Sequence, residues 1–340
     1  MSRGEVLTRP FTAVENTPTR RARRRRLTRG HRVHHTRRIG PALDTLDPYS
    51  WQPKQQCRTV GLNDTLYESE ITTARLSWNS RYGGMFLSGF GFAASYYGLP
   101  DIGFIAWPDM VGFVQRLRLA FPQQHLLVDI DDGYVDPEVA CHVVEHLERI
   151  GASGVIPEEQ TRPRRCGHVT GKQILPIEEC LEKLNLVLQD RSELVVGART
   201  DATEESEILR RAEMPAATDA DVLLVDGVRS VEWIRKVRGM VGSKPLLFNQ
   251  IAGGLSPRLS LTGLEELGIN VAIYSTPCLF AAHTAMANAV TELRTNDGRL
   301  AEVKSDDVGV ASSIALLERN LSRHHPRRRL DWASEMRAAG

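Results

Sequence analysis

The sequence predicts an α/β fold, a (β/α)₈ TIM barrel built on a parallel sheet, and three observations carry this prediction. Short, β-branched apolar runs alternate with amphipathic helical stretches from Met85 onward. The runs are long enough for barrel strands and nearly free of polar residues. No GxGxxG motif follows any of them, so a dinucleotide-binding fold has no support.

Seven apolar runs are the predicted strands. They span residues 85–89, 126–131, 154–159, 194–201, 222–227, 245–250 and 271–276, with a weaker eighth run at 104–107. Near-continuous apolar strands are buried on both faces, as in a parallel sheet covered by helices. A TIM barrel fits this count best, and a doubly wound open sheet is the alternative.

Helices are predicted between the runs, at 137–151, 176–189, 230–242 and 278–294. In the first of them the apolar residues recur at helical spacing, at positions 139, 143, 144, 147 and 150. Pro137 and Pro176 stand at the beginning of two segments, where the first turn of a helix tolerates proline.

Composition and charge divide the chain into three predicted parts: residues 1–50 as a disordered Arg-rich tail, 51–298 as the catalytic barrel and 299–340 as a C-terminal helical extension. Hydrophobic residues make up 41% and charged residues 25%, as in soluble globular proteins. Residues 18–38 are rich in Arg and His and contain no acidic residue, which is typical of a solvated, disordered segment. An anion- or nucleic-acid-binding arm is the alternative for this tail.

The chain as a whole has a net charge of +1, so nucleic acid is an unlikely partner, and the absence of a long apolar run argues against a membrane span. The five cysteines form no CxxC pair and no zinc spacing. These features favour free thiols in a reducing cytoplasm. An organelle transit peptide is disfavoured because the basic segment is poor in serine.

Acidic and polar residues follow the predicted strands. Asp129, Asp131 and Glu158 end two of them, and Arg199 and Asn249 end two others. In a barrel the catalytic residues project from the carboxyl ends of the strands. Several carboxylates at one barrel mouth repel one another unless a cation neutralises them, and all-oxygen ligands suit Mg²⁺ or Mn²⁺.

Five motifs in order resemble those of the isocitrate lyase/phosphoenolpyruvate mutase superfamily. They are SGFGFAASYYGLPDIGF (88–104), VDIDDGY (128–134), EEQTRPRRCGHVTGK (158–172), ARTDA (198–202) and FNQIAGG (248–254). The resemblance covers about residues 60–295. It implies a (β/α)₈ barrel, Mg²⁺, a small oxo- or hydroxy-acid substrate, and a homo-oligomer, commonly a tetramer built from dimers that swap a C-terminal helix.

The resemblance also assigns residues. The metal site it implies consists of Asp129, with Asp131, Glu158 and Asp101 in support. The implied substrate-binding residues are Ser88, Gly89, Phe90, Gly167, Arg199 and Asn249. A guanidinium fork binds a carboxylate through two parallel hydrogen bonds, which suits Arg199 to an acid substrate.

Cys166 lies in the block Arg164-Arg165-Cys166-Gly167-His168, and the resemblance implies that it protonates the carbanion released by C–C cleavage. Cys166, His168 and Arg199 are therefore the predicted catalytic residues. Neighbouring cations predict a lowered pKa for the thiol. The segment from Gln160 to Lys172 is predicted to act as a mobile lid.

Four departures from the family pattern bear on the reaction. Phe86 replaces a usual Tyr, Asp226 a usual Glu and Arg164 a usual Lys, and residues 250–254 lack the hydroxyls or Glu expected around a second carboxylate. The predicted function is a Mg²⁺-dependent lyase acting on a methylisocitrate- or substituted-malate-like acid. A carboxyphosphonoenolpyruvate-type phosphonomutase, an oxaloacetate-type hydrolase or decarboxylase, and a non-catalytic barrel with an anion-binding arm are the alternatives.

Overall fold

A computed structural model describes residues 58–61, 84–122, 124–300, 302 and 308–324, all of which belong to the unit Thr45–Gly340. Its eight strands form a closed, all-parallel barrel in chain order, and β1 closes the sheet by pairing with β8. The strands are β1 (Arg58–Gly61), β2 (Gly84–Leu87), β3 (His125–Asp129), β4 (Gly154–Ile156), β5 (Val195–Thr200), β6 (Val222–Val225), β7 (Leu246–Asn249) and β8 (Val271–Ile273).

Helices follow the strands and form the outer layer. In chain order they are α1 (Gly89–Phe92), α2 (Trp107–Ala120), α3 (Pro137–Arg149), α4 (Ile177–Asp190), α5 (Glu205–Arg211), α6 (Met214–Ala217), α7 (Val231–Met240), α8 (Leu261–Glu266), α9 (Pro277–Thr295) and α10 (Val310–His324). A π-helical turn, Ala93–Tyr97, continues α1. None of the described helices is both long and apolar enough to cross a bilayer.

Side chains alternate between two apolar layers because successive residues of a strand point to opposite faces of the sheet. The inward-facing side chains form a small core inside the barrel, composed of Phe86, Leu127, Ile156, Val222, Leu224, Leu247, Val271 and Ile273. Their neighbours along the strands, such as Met85 and Leu126, face outward and join a larger core beneath the helices. This alternation determines which strand-end residues face the barrel axis.

Polar side chains cap the N-termini of α3 and α7. Asp136 precedes Pro137 and accepts a hydrogen bond from the Glu138 amide at 2.9 Å. Ser230 accepts one from the Trp233 amide at 3.1 Å. Such caps satisfy amides that have no partner within the helix, so these residues fix where α3 and α7 begin.

The closed barrel confirms the predicted fold class, and the open-sheet alternative is wrong. The prediction of a strand at 104–107 is also wrong, because Trp107 begins α2 and the preceding three residues have no regular structure. The remaining strand is β1, whose sequence RTVG has no continuous apolar run to reveal it. The predicted tail, residues 1–50, lies outside the described residues, and the bounds of the three predicted parts stay predictions.

Candidate active site

The barrel mouth, which lies at the carboxyl ends of the strands, is lined by polar side chains. The next inward-facing position above the apolar interior carries a polar side chain on seven strands, namely Ser88, Asp129, Glu158, Arg199, Asp226, Asn249 and Ser275. All seven are buried. The two-residue period of the strands therefore brings together side chains that are far apart in the sequence.

Arg199 lies at the centre of this group and contacts four carboxylates. Its guanidinium nitrogens lie 2.9 Å from Glu158 Oε2, 3.0 Å from Asp226 Oδ2 and 3.5 Å from Asp129 Oδ2. Its Nε donates to Asp201 at 3.0 Å. Burial opposes the charge, but the carboxylates outweigh it and raise the pKa of Arg199 well above its usual range. The guanidinium is thus a permanent cation at the barrel mouth.

A second arginine, Arg164, enters the same group from the loop after β4. Its Nε donates to Glu158 Oε1 at 2.7 Å, Nη2 lies 3.2 Å from Asp131 Oδ1, and Nη1 donates to Asp101. The side chain is 1% exposed. Three of the four predicted metal-binding carboxylates therefore contact this one guanidinium.

Acidic side chains outnumber basic ones at the mouth. Among the described residues, six acidic side chains contact three basic ones; the acidic residues are Asp101, Asp129, Asp131, Glu158, Asp201 and Asp226, and the basic residues are Arg164, Lys172 and Arg199. Burial raises the pKa of Asp129, of Asp131 and, to about 7, of Glu158. An uncompensated buried carboxylate requires a proton or a cation.

The donor chemistry fits a hard divalent cation. Neither oxygen of Asp131 accepts a hydrogen bond, although Arg164 lies close to one of them. Carboxylate oxygens are the ligands that Mg²⁺ and Mn²⁺ prefer. Within the described part of the chain, however, no three acidic, His or Cys side chains converge on one point as direct ligands. In the present arrangement the Arg164 guanidinium lies among them.

The loop predicted to bind the substrate, Ser88 to Phe90, lies directly against the carboxylates of Asp129 and Asp131. The Gly89 amide donates to Asp129 Oδ2 at 3.3 Å, and a Cβ at Gly89 would lie 2.5 Å from Asp131 Oδ1. The Ser88 hydroxyl caps α1 by accepting from the Gly91 amide at 3.4 Å. The half-buried Phe90 packs edge-on against Phe280. Only a residue without a side chain allows the loop to approach this closely.

The loop after β3 has a strained backbone at three residues that are not glycine. Asp131 has φ 50°, Tyr134 φ 61° and Val135 φ 79°, all in the left-handed region that side chains disfavour. The Tyr134 hydroxyl is buried without a hydrogen-bond partner, and burial followed by Asp131 raises its pKa well above the usual range. Strain of this kind concentrates at functional sites.

The predicted lid is docked onto the mouth through Gly167 and His168. The His168 Nδ1 accepts from the Leu255 amide at 3.1 Å, so Nε2 carries the proton and donates to Asp226 Oδ1 at 3.1 Å. A Cβ at Gly167 would overlap Asp226 Oδ2. Lys172 donates to the Gly167 carbonyl and to Asp201 at 3.2 Å. Gly167 therefore lets the backbone lie directly against the carboxylates.

The prediction of a lowered thiol pKa is wrong. Burial, and after it the charge of Asp226, raises the pKa of Cys166 to about 12, and Arg199 offsets only part of this. Neighbouring cations in the sequence do not face the thiol: Arg165 is exposed and Arg164 is paired with carboxylates. The thiol accordingly stays protonated near neutral pH.

Asp226 connects the lid to the barrel. Besides Arg199 and His168, it accepts a hydrogen bond from Asn249 Nδ2 at 3.0 Å, and Asn249 Oδ1 accepts one from Ser275 at 2.7 Å. Although burial opposes it, Arg199 and then His168 lower the pKa of Asp226. The predicted site omitted Asp226, Asp201 and Lys172 as functional residues. The ARTD and CGHVTGK motifs contained two of them, but only their contacts reveal the role.

Comparisons with known proteins identify the family of this chain. The phosphoenolpyruvate phosphomutase family model matches residues 70–294. The chain is 27% identical over 233 residues to 2,3-dimethylmalate lyase of Eubacterium barkeri, covering 67% of this chain and 80% of the relative. It is 30% identical over 215 residues to 2-methylisocitrate lyase of Bacillus subtilis strain 168, covering 62% and 70%.

A solved structure of oxaloacetate acetylhydrolase in complex with the inhibitor 3,3-difluorooxalacetate has a TM-score of 0.73 and 25% identity, and covers 81% of this chain and 94% of that chain. The family match spans well over half of the sequence and includes every motif described above. The chain is therefore an enzyme that belongs to the phosphoenolpyruvate phosphomutase family, in the isocitrate lyase/phosphoenolpyruvate mutase superfamily of carbon–carbon lyases and mutases.

Proposed function

We propose that this enzyme is a divalent-metal-dependent lyase that cleaves a C–C bond of a small 2-hydroxy di- or tricarboxylic acid. The products are an oxo-acid and a second carboxylate. The observation that carries the proposal is a half-buried thiol on the docked lid, whose pKa burial and then the charge of Asp226 raise to about 12. A group that must deliver a proton to a carbanion has to hold that proton at neutral pH.

Asp129 and Asp131 are the residues proposed to hold the cation, with Glu158 and Asp101 behind them and water completing its coordination. A bound Mg²⁺ or Mn²⁺ would polarise the 2-hydroxyl oxygen and stabilise the carbonyl that develops there. The excess of acidic over basic side chains supports this assignment, as does the Asp131 carboxylate, which accepts no hydrogen bond.

The proposed reaction breaks one C–C bond and forms one C–H bond. The hydroxyl carbon becomes the oxo-acid carbonyl, and the hydroxyl proton passes to a mouth carboxylate that the cation does not bind. The electron pair of the broken bond stays on the departing carbon, which takes the proton of Cys166. Arg199 orients the substrate carboxylate, since its planar fork matches that group.

His168 and Gly167 are proposed to orient the lid rather than to exchange protons. Both ring nitrogens of His168 already have partners, and Gly167 lies against Asp226. With the lid docked, Cys166 is held next to the substrate carbon and water is excluded. Asn249 would contact the departing fragment. Gly89, Ser88 and Phe90 are proposed to line the oxo-acid end.

Two relatives motivate the substrate class, because one is named a dimethylmalate lyase and the other a methylisocitrate lyase. An oxaloacetate-type hydrolase is the second candidate, favoured by the similar acetylhydrolase structure. A phosphonomutase is the third, since the family model carries that description. Membership of an enzyme family disfavours the non-catalytic barrel.

The test is a screen of 2-hydroxy di- and tricarboxylic acids, including 2,3-dimethylmalate and 2-methylisocitrate, with Mg²⁺ or with EDTA. Release of an oxo-acid only with metal supports the proposal. Parallel incubations with oxaloacetate and with phosphonates, the latter followed by ³¹P resonance, cover the other candidates. Turnover in those incubations alone would replace the lyase assignment.

Cys166→Ser separates the acid role from binding. We expect the variant to bind the substrate and lose turnover, because a serine hydroxyl is a far weaker acid than a thiol. Cys141→Ser is the matched control, since this half-buried cysteine lies on α3, outside the barrel mouth. Full activity of Cys166→Ser would refute the role of the thiol.

A further inference from the structure

Arg164 is buried among carboxylates that come from three separate segments. Asp101 precedes α2, Asp131 follows β3 and Glu158 follows β4, yet one guanidinium fork contacts all three. Its side chain is 1% exposed, which is exceptional for an arginine. The structure thus contains an internal cation at the place where the acidic side chains meet.

A guanidinium and a divalent cation compete for the same carboxylate oxygens. Arg164 uses one oxygen of each of the three acids, and no three acidic groups converge as direct ligands in the described residues while it is there. Two like charges in a poorly solvated region also repel one another. A guanidinium that stays in place therefore opposes tight metal binding, and its departure from at least part of the group favours such binding.

Movement of Arg164 has consequences for the lid. Arg164 lies two residues from Cys166, on a segment that three further pairs attach to the barrel: Arg162 with Asp132 at 2.8 Å, His168 with Asp226, and Lys172 with Asp201. The connection through Arg164 is the only one of these four that involves the proposed metal ligands. Its release would reposition the segment while the other pairs remain.

We propose that Arg164 and the divalent cation are alternative counterions of the same carboxylates, so that metal binding displaces the guanidinium and repositions the segment carrying Cys166. The inference rests on the metal requirement of the proposed function. It makes Arg164 a positioning residue that acts through the metal site and the lid, without touching the substrate.

Metal affinity without substrate is the direct test. Mn²⁺ binding to the full chain is measured by electron paramagnetic resonance for the wild type, Arg164→Met, Arg164→Lys and Arg165→Met. We expect Arg164→Met to bind Mn²⁺ at least about tenfold more tightly, a difference of about 1.4 kcal/mol. Lysine keeps the charge but lacks the rigid fork, so its affinity should fall between the two.

Arg165→Met is the matched control. Arg165 is the neighbouring residue with the same charge, but it is exposed on the segment surface. We expect its Mn²⁺ affinity to stay within about twofold of the wild type, because solvent screens exposed charges. Equal tightening in both variants would indicate a general charge effect and would overturn the inference. So would unchanged or weaker binding in folded Arg164→Met.

Melting temperatures show whether each variant is folded. This control is needed because removing one partner of a buried ion group is destabilising. In EDTA, Arg164→Met should melt below the wild type, and Mn²⁺ should raise its melting temperature more than that of the wild type. A variant that Mn²⁺ stabilises no more than the wild type contradicts the proposal.

Hydrogen exchange of the wild type gives a readout independent of any variant. Saturating Mn²⁺ should increase exchange in residues 160–166 and leave α3 unchanged. If the wild type binds Mn²⁺ without any change of exchange in this segment, the proposed displacement of Arg164 is wrong. The metal requirement of the proposed function would not be affected by that result. If neither the wild type nor Arg164→Met binds Mn²⁺, the metal requirement of the proposed function fails as well.

Discussion

Replacing Asp226 with asparagine removes one negative charge beside the Cys166 thiol and keeps the size of the side chain. Burial comes first and Asp226 second among the causes that raise the pKa of this thiol to about 12. A nearby unit charge shifts a pKa by about 1 to 3 units. A decrease of about 1 unit equals about 1.4 kcal/mol and gives roughly tenfold more thiolate at any pH well below the pKa.

Alkylation by iodoacetamide, followed peptide by peptide with mass spectrometry, measures this change across the neutral and mildly alkaline pH range. The thiolate is the reacting species, so Cys166 in Asp226→Asn should react about tenfold faster than in the wild type. Cys180 is an internal control, because burial and Glu159 raise its pKa to about 12 without any contribution from Asp226. Its rate should not change.

Glu159→Gln should produce the reverse pattern, with faster alkylation at Cys180 and an unchanged rate at Cys166. An unchanged rate at Cys166 in Asp226→Asn would refute the assigned electrostatic environment of the thiol. Equal acceleration at both cysteines would point to a general loosening of the protein and would refute it too.

Three further predictions concern the mouth, the core and the helix face. Gly89→Ala should reduce Mg²⁺-dependent turnover by about 100-fold, because its Cβ would lie 2.5 Å from Asp131 Oδ1 and displace the loop; normal steady-state kinetics would contradict this. Arg211→Met should destabilise the protein by about 3–5 kcal/mol in urea unfolding, because it removes the cation that pairs with the buried Glu159 carboxylate. An unchanged midpoint would contradict this. Val290→Glu should give a smaller species in analytical ultracentrifugation than the wild type, because α9 exposes apolar side chains that the expected homo-oligomer would bury. Identical sedimentation would contradict this role.

Much of the fold and part of the site could be predicted from the sequence. The run ending in Asp129 and the run ending in Arg199 each alternate inward and outward, so their strand-end residues had to face the barrel axis together. The first strand could not be recognised, because RTVG is short and mixed. The apolar residues at 104–107 misled because they pair with no strand: Ile105 is buried, but Phe104 and Ala106 are exposed, and Trp107 already begins α2.

The sequence by itself determined the barrel, the family and part of the charged group at its mouth, including Asp129, Glu158 and Arg199, because hydrophobic periodicity and motif order are local properties. Tertiary structure alone decided their charge states and partners. Arg164 reaches Asp101 across 63 residues, and Asp226 reaches His168 across 58, so neither contact has a sequence signal. The thiol of Cys166 looked activated beside two arginines, but burial and a distant carboxylate raise its pKa instead. Desolvation and through-space charge depend on which segments meet, and the closed barrel is what brings them together.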